Sequence, residues 1–221
     1  MRSIGILFAF LLFTSACDHV RPQIGPQIVY DDAEVQLSQL QISENPGQFP
    51  DQPLTALFIP LRVMQRMEGS ITVGNQISDM LVREWGRMNV FPDLKTLEGR
   101  WPGLENGLAL SRNLGRDLLV TGTIPYFNFS GTEGATTVSL HLEVFDGQTG
   151  DLLWSMEQAG RITGDFDEDY ILVRRKTRMP LDPVSVIVSS LAQETGVFIK
   201  SWNRGRFPPQ PSENGPGSLF K

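Results

Sequence analysis

The chain has 221 residues, 40% hydrophobic and 20% charged, enough to bury one domain core and leave tails over. Its formal charge is −6, and the first sixteen residues hold only Arg2, so removing that +1 leaves the rest near −7. This balance excludes general nucleic-acid binding and disfavours electrostatic adhesion to anionic lipid, both of which need a basic surface.

The amino terminus begins with Arg2, continues as an apolar-plus-glycine run from Ile4 to Phe13, and passes through Thr14, Ser15 and Ala16 to the single cysteine, Cys17. Charge, short greasy core and small residues are the order of an export signal. The greasy part covers about ten residues where a spanning helix needs roughly 20. It therefore reads as a removed signal rather than a retained anchor. A lone cysteine in an exported chain has no internal disulfide partner. Ser15-Ala16-Cys17 resembles the lipobox of bacterial lipoproteins, with Thr14 standing where leucine is usual. On that resemblance residues 1–16 are a signal peptide and Cys17 carries a covalent lipid of the palmitate type. Two or three acyl chains on one residue hold a soluble domain on a membrane, where a single chain does not. The alternative is an ordinary signal peptide cut nearby, with Cys17 incidental.

Residues 17–53 read as the lipidated cysteine and an extended tether. Pro22, Pro26, Pro46, Pro50 and Pro53 forbid a long helix, and only Val35 to Ile42 has the pattern to fold onto a partner or the domain. The domain is expected over residues 54–202. Leu57, Ile59, Leu61 and Val63 alternate as in a strand, and Val73, Ile77, Leu81, Trp85 and Met88 form one stripe of a helix. Asn89 to Pro92 leads into a short second strand of edge type, since Pro92 lacks a donor. Leu104, Leu108 and Leu110 to Leu114 predict a second helix that stops at Gly115.

A long strand is then predicted from Leu118 to Phe129, with a turn at Gly131 to Gly134. In the next strand Val138, Leu140, Leu142 and Val144 alternate with Ser139, His141, Glu143 and Phe145 on a wet face. Asp146 to Gly150 is a hairpin connection, and Leu152, Trp154 and Met156 mark the returning strand. Asp182 as N-cap and Pro183 as first helical residue open a last helix striped by Val184, Ile187, Val188, Leu191, Phe198 and Trp202. Gly196 interrupts it and weakens it by about 1 kcal/mol relative to alanine. Residues 203–221, rich in proline and glycine, read as a disordered tail.

The predicted class is α+β: a mixed, mostly antiparallel sheet of about five strands under about three helices, in the order βαβαβββα. With the lipobox, this order resembles the TolB amino-terminal-like fold shared by the curli-secretion channel lipoprotein (CsgG) family. Leu114-Gly115-Arg116-Asp117-Leu118-Leu119-Val120-Thr121-Gly122-Thr123-Ile124 is similar to that family's helix end, turn and strand into Thr-Gly. Val144-Phe145-Asp146-Gly147-Gln148-Thr149-Gly150 is similar to its hairpin. The resemblance implies a non-enzymatic cell-envelope component that works by assembly: in secretion, in flagellar or outer-membrane structure, or in wall synthesis. A membrane pore is not expected. The one candidate insert, Arg161 to Leu181, carries Asp165, Asp167, Glu168 and Asp169, then Arg174, Arg175, Lys176 and Arg178, which do not suit a lipid face.

Candidate sites are few. Asp165 to Asp169 has the alternate carboxylates of a calcium loop, but Tyr170 and Lys176 stand where that loop wants glycine and glutamate. The acidic run reads as a solvated loop, paired with the basic cluster or forming with it a charged docking surface. His19 and His141 are the only histidines, so no metal site is expected. No nucleophile elbow or phosphate-cradling loop is present in the sequence, and no cofactor is expected beyond lipid on Cys17. Tyr126, Phe127 and Phe129 are either hairpin packing or an apolar patch for a neighbouring subunit. The chain therefore reads as a membrane-anchored envelope subunit that self-associates or joins a complex. The alternative is a hydrolase or a periplasmic binder of a small ligand. The periplasmic face of the outer membrane is favoured, and Asp18, directly after the cysteine, is the feature that points to the inner membrane instead.

Overall fold

The computed structural model describes residues 27–131, 134–164, 166–169 and 173–206. The signal segment and Cys17, Tyr170, and the stretch from Phe207 to Pro211 lie outside them. Alternation and helical stripes build the larger elements where the sequence predicts them. The main sheet takes β4 (Ala56–Phe58), β6 (Leu94–Thr96), β7 (Leu118–Ile124), β9 (Ala135–Asp146) and β10 (Leu152–Thr163). The helices are α1 (Ser70–Met88), α2 (Leu104–Asn113) and α3 (Pro183–Asn203). With β2 (Gln36–Leu37) at the edge, the strand order is β2-β10-β9-β7-β4-β6.

The sheet has two characters. β6, β4 and β7 run parallel, whereas β7, β9 and β10 are antiparallel neighbours. In the parallel part Ala56 and Phe58 face the core shared with α1 and α3, while Leu57 and Ile59 face the smaller core under α2. α1 and α2 thus cover opposite faces of β4. Phe145, expected on the wet face of β9, is buried in that second core with Leu108 and Leu119. The wet-face reading fails there because α2 adds a layer that alternation within one strand does not announce.

The motifs behind the family resemblance have structural causes. Arg116 pairs with Asp93 at the approach to β6. The Asp117 carboxylate accepts from the Thr55 backbone N–H and hydroxyl, both at 2.8 Å, and so ties the start of β7 to β4. Asp146 Oδ1 accepts from the N–H groups of Gln148 and Thr149, which folds the hairpin. Gly122 lies so near β9 that a Cβ there would stand 2.1 Å from the His141 carbonyl oxygen. The Thr-Gly step is a close-approach requirement.

Three expectations change. The strand from Leu118 ends at Ile124, because Pro125 offers no donor, and resumes as β8 (Phe127–Asn128) on β9. The sheet has nine strands rather than about five, since β3 (Gln41–Glu44), β5 (Arg62–Val63) and β8 add short pairings. The expected tether is part of the fold from residue 27. β1 (Gln27–Asp32) pairs in parallel with β12 (Val173–Arg178), which pairs with β11 (Phe166–Asp169) in a separate three-stranded sheet. β2 and β3 pair with β10, and Ala33 and Leu40 are buried in the main core. Prolines exclude a helix, but they leave short edge strands open.

α3 carries the predicted N-cap, with the Asp182 carboxylate accepting from the Ser185 N–H at 3.0 Å. Its far end is tied to the 48–54 segment: Trp202 Nε1 donates to the Gln48 carbonyl at 2.8 Å, and Asn203 Oδ1 accepts from Leu54 N–H at 2.7 Å. α3 crosses α1 at Trp85, which is fully buried, packs edge-on against Phe58 and Phe91, and donates from Nε1 to the Ala192 carbonyl at 2.9 Å. Gly196 is the facing residue, and a Cβ there would stand 3.0 Å from the indole. The glycine that weakens the isolated helix is what lets the two helices close. Gln193 Nε2 adds a bond to Glu84 Oε1 at 2.9 Å. The Arg87 hydrogen bond holds the Glu84 carboxyl below its ordinary value. That link is complete above the ordinary glutamate range and is lost as pH falls through the lowered value.

Replacing Trp85 with alanine should cost about 3–5 kcal/mol, and Gly196→Val should cost about 1–3 kcal/mol by overpacking. Guanidinium unfolding of the variants checks both, with the dependence on denaturant unchanged.

Candidate functional site

A groove of about 750 Å³ lies where the flank of α1 meets the aromatic hairpin and the start of α3. Val73, Ile77 and Met80 form its α1 wall, Phe127 and Phe129 its hairpin wall, and Val184 closes the α3 side. Asp79, Arg83 and Asp182 place charges in the same lining. Apolar side chains with a few charges among them are the composition of a protein-contact surface.

Local bonds shape the hairpin wall. Gln65 Oε1 accepts from Phe127 N–H at 2.6 Å, and Ser139 N–H donates to the Tyr126 carbonyl at 2.8 Å. Asn128 Nδ2 donates to the Ala135 carbonyl at 2.9 Å, and the Ser130 hydroxyl donates to the same oxygen at 3.0 Å. Phe129 is thereby held out with 57% of its surface exposed, and Tyr126 with 48%. The α1 wall is equally fixed. Ser78, buried, accepts from Leu61 N–H at 2.8 Å and donates to the Gly74 carbonyl at 2.7 Å, which pins α1 to the chain leaving β4.

Of the residues predicted for partner binding, Phe127 and Phe129 come together in this groove. Tyr126 is exposed beside them and does not line it. Arg174, Arg175, Lys176 and Arg178 stand on β12 in the separate small sheet; Lys176 and Arg178 are not among the described residues that line the groove, and the side chains of Arg174 and Arg175 lie outside the description. The β11–β12 register sets Asp167 opposite Lys176, Glu168 opposite Arg175 and Asp169 opposite Arg174. Arg178 Nε bonds Asp32 Oδ1 at 2.7 Å, and that hydrogen bond raises the Arg178 pKa further. The acidic and basic runs thus lie on neighbouring strands of one small sheet, and Asp165 lies outside the described residues. The predicted lipidation site, Cys17, lies outside the described residues.

The sequence reading missed Met80, Asp79 and Arg83. Met80 follows Ile77 by three residues, which makes the apolar stripe of α1 wider than one neighbouring element covers. The polar face of β9 and β10 holds one contact of catalytic type, His141 Nε2 at 3.1 Å from Ser155 Oγ. Ser155 also accepts from Ser43 Oγ at 3.0 Å, and among the described residues no carboxylate bonds the other nitrogen of His141. That contact has no orienting acid. Among the described residues no cluster of ligands could hold a metal ion, and no helix is long and apolar enough to cross a membrane.

Phe129→Ala should leave stability within about 0.5 kcal/mol, because the ring is half in solvent. Phe127→Ala should cost more. Parallel urea titrations separate the two.

No protein-family model matches the chain, and no curated protein matches it. Solved structures do. The PelC dodecamer from Paraburkholderia phytofirmans is 14% identical, with a TM-score of 0.51 over 76% of this chain and 99% of that one. Lipoprotein GNA1162 from Neisseria meningitidis is 14% identical, with a TM-score of 0.36 over 48% and 79%. The LpoB C-terminal domain from Salmonella enterica is 14% identical, with a TM-score of 0.29 over 52% and 86%. At these identities the likeness to PelC is one of fold, and it supports the α+β architecture read from the motifs rather than the curli-secretion family in particular.

Proposed function

We propose that this chain is a bacterial envelope lipoprotein, anchored through acylated Cys17, that acts as a non-enzymatic structural or accessory subunit by self-association. The observation that carries the reading is the groove between Met80 and Phe129: preformed, apolar at its floor, and open. The fold likeness to a protein solved as a dodecamer makes a second copy of this chain the preferred occupant. Secretion, flagellar structure and wall synthesis are the envelope settings that the sequence resemblance suggests.

The strand β1, which begins at Gln27, changes how such a subunit would be held. Ten residue steps separate Cys17 from Gln27, a reach of at most about 35 Å. The small sheet would stay near the lipid surface instead of hanging on a long tether. The acyl chains would supply the membrane link. The periplasmic face of the outer membrane remains the preferred place.

Acylated full-length protein, extracted in mild detergent and weighed by light scattering, should have several times the mass of one chain. Met80→Asp with Phe129→Asp should reduce that mass to one chain without unfolding it. A strict monomer at every concentration would overturn self-association. Separately, Cys17→Ser should move the protein from the membrane fraction to the soluble one, and an unmodified thiol at Cys17 in native material would remove the lipoprotein assignment.

A further inference from the structure

The parallel part of the sheet contains a second crevice, which the assembly reading does not use. β4 continues through β5 into α1 on one face of the sheet, while β6 continues into α2 on the other. Parallel neighbours whose connections leave to opposite faces part outside their carboxyl ends, and ligands of open α/β sheets bind in that opening. Here the opening is a cavity of about 240 Å³. Its lining includes Arg62 from the β4–α1 connection, Ser70, Ile71 and Asn75 from the first turns of α1, and Arg100 and Trp101 from the β6–α2 loop.

The chemistry of this lining is one-sided. Arg62 and Arg100 bring two positive charges, and among the described residues no acidic one lines the cavity. Among the described residues neither arginine forms an ion pair. Arg62 is already placed: its guanidinium carbon lies 4.9 Å from the centre of the Trp101 ring. Trp101 is itself anchored, with Nε1 donating to Thr121 Oγ1 at 3.3 Å. Arg62 Nη2 donates to Met64 Sδ at 3.3 Å, and the remaining guanidinium donors are of the kind that bind a carboxylate or phosphate. The Ser70 hydroxyl and the Asn75 amide, which make no side-chain hydrogen bond among the described residues, add neutral donors to the same wall. The uncapped first turn of α1 adds a weak positive end.

We infer that this crevice is a binding site for an oxyanion group, a carboxylate or a phosphate, carried by a small ligand whose apolar part lies against Ile71. The volume is slightly below the roughly 300 Å³ of the smaller drug-sized pockets, so it suits a charged head group. The site is independent of the subunit contact and holds whether or not the chain self-associates.

Calorimetric titration of the full-length protein at low ionic strength tests it, with inorganic phosphate in one arm and acetate in the other. At least one of the two should bind at one site per chain, and the tighter of them assigns the group the ligand carries. Arg100→Ala, in an exposed loop, should weaken that binding at least ten-fold while leaving the thermal unfolding of the unliganded protein unchanged. Arg62→Ala should do the same and also alter the Trp101 fluorescence. No binding of either anion at millimolar concentration, or equal binding by the Arg62→Ala, Arg100→Ala double variant, would overturn the inference.

Discussion

The seat of Trp85 is the constraint on which the rest of the molecule depends. The indole touches the sheet through Phe58, the approach to β6 through Phe91, and α3 through the Ala192 carbonyl. A side chain so large is accepted only because α3 offers a bare backbone at Gly196. The indole N–H cannot be left dry without a penalty of about 1–3 kcal/mol, so the bond to Ala192 also fixes the position of α3 along α1. Once that position is set, Asp182 lies at the end of α3 nearest the aromatic hairpin, and Trp202 lies at the other end beside Gln48. The two ends of α3 thus sit at the groove and at the 48–54 segment.

The sheet joins two kinds of construction. On the β6-β4-β7 side the chain is wound as a parallel unit with helices on both faces, and on the β9-β10 side it is an antiparallel hairpin covered mainly on one face. Each half leaves its own opening. The parallel half parts its connections beside Arg62 and Trp101, and the hairpin half leaves β8 displaced from β7 at Pro125, so that Phe129 overhangs α1. The two openings differ in chemistry for the same reason that they differ in origin. The crevice is lined by loop and helix-start residues that include Arg62 and Arg100, whereas the groove is lined mainly by the apolar flank of α1 and the rings of the hairpin.

Much of this was legible in the residues. Stripes of three and four placed α1 and α3, period-two alternation placed β9, and Asp182-Pro183 marked the start of α3. These signals are strong because each of these long elements keeps a continuous apolar stripe against the main core. Apart from Val35 to Ile42, whose pattern allows it to fold onto the domain, the segment 27–53 is misread as tether for the opposite reason. Its strands are two to six residues long, and each pairs with a strand far along the chain, β10 or β12. Their burial rests on isolated residues such as Ala33 and Leu40, so no period emerges. Arg62 and Trp101 were also invisible as a pair. Nothing in a sequence separation of thirty-nine positions announces a cation over a ring; only the crossing of the β4 and β6 connections brings them together.

The shared wall of the two openings is the amino-terminal half of α1. Ser70, Ile71 and Asn75 face the charged crevice, while Val73, Gln76 and Met80 face the apolar groove. A wall serving two surfaces must not roll, since turning the helix toward one would withdraw it from the other. Two close contacts prevent this. Ser78 bridges the Leu61 N–H and the Gly74 carbonyl, and Gly74 lies so near the Leu61 carbonyl that a Cβ there would stand 2.5 Å from the oxygen. No residue other than glycine fits at that point without moving α1. Both openings are therefore shaped before anything enters them, which lowers the ordering cost of whatever binds at either.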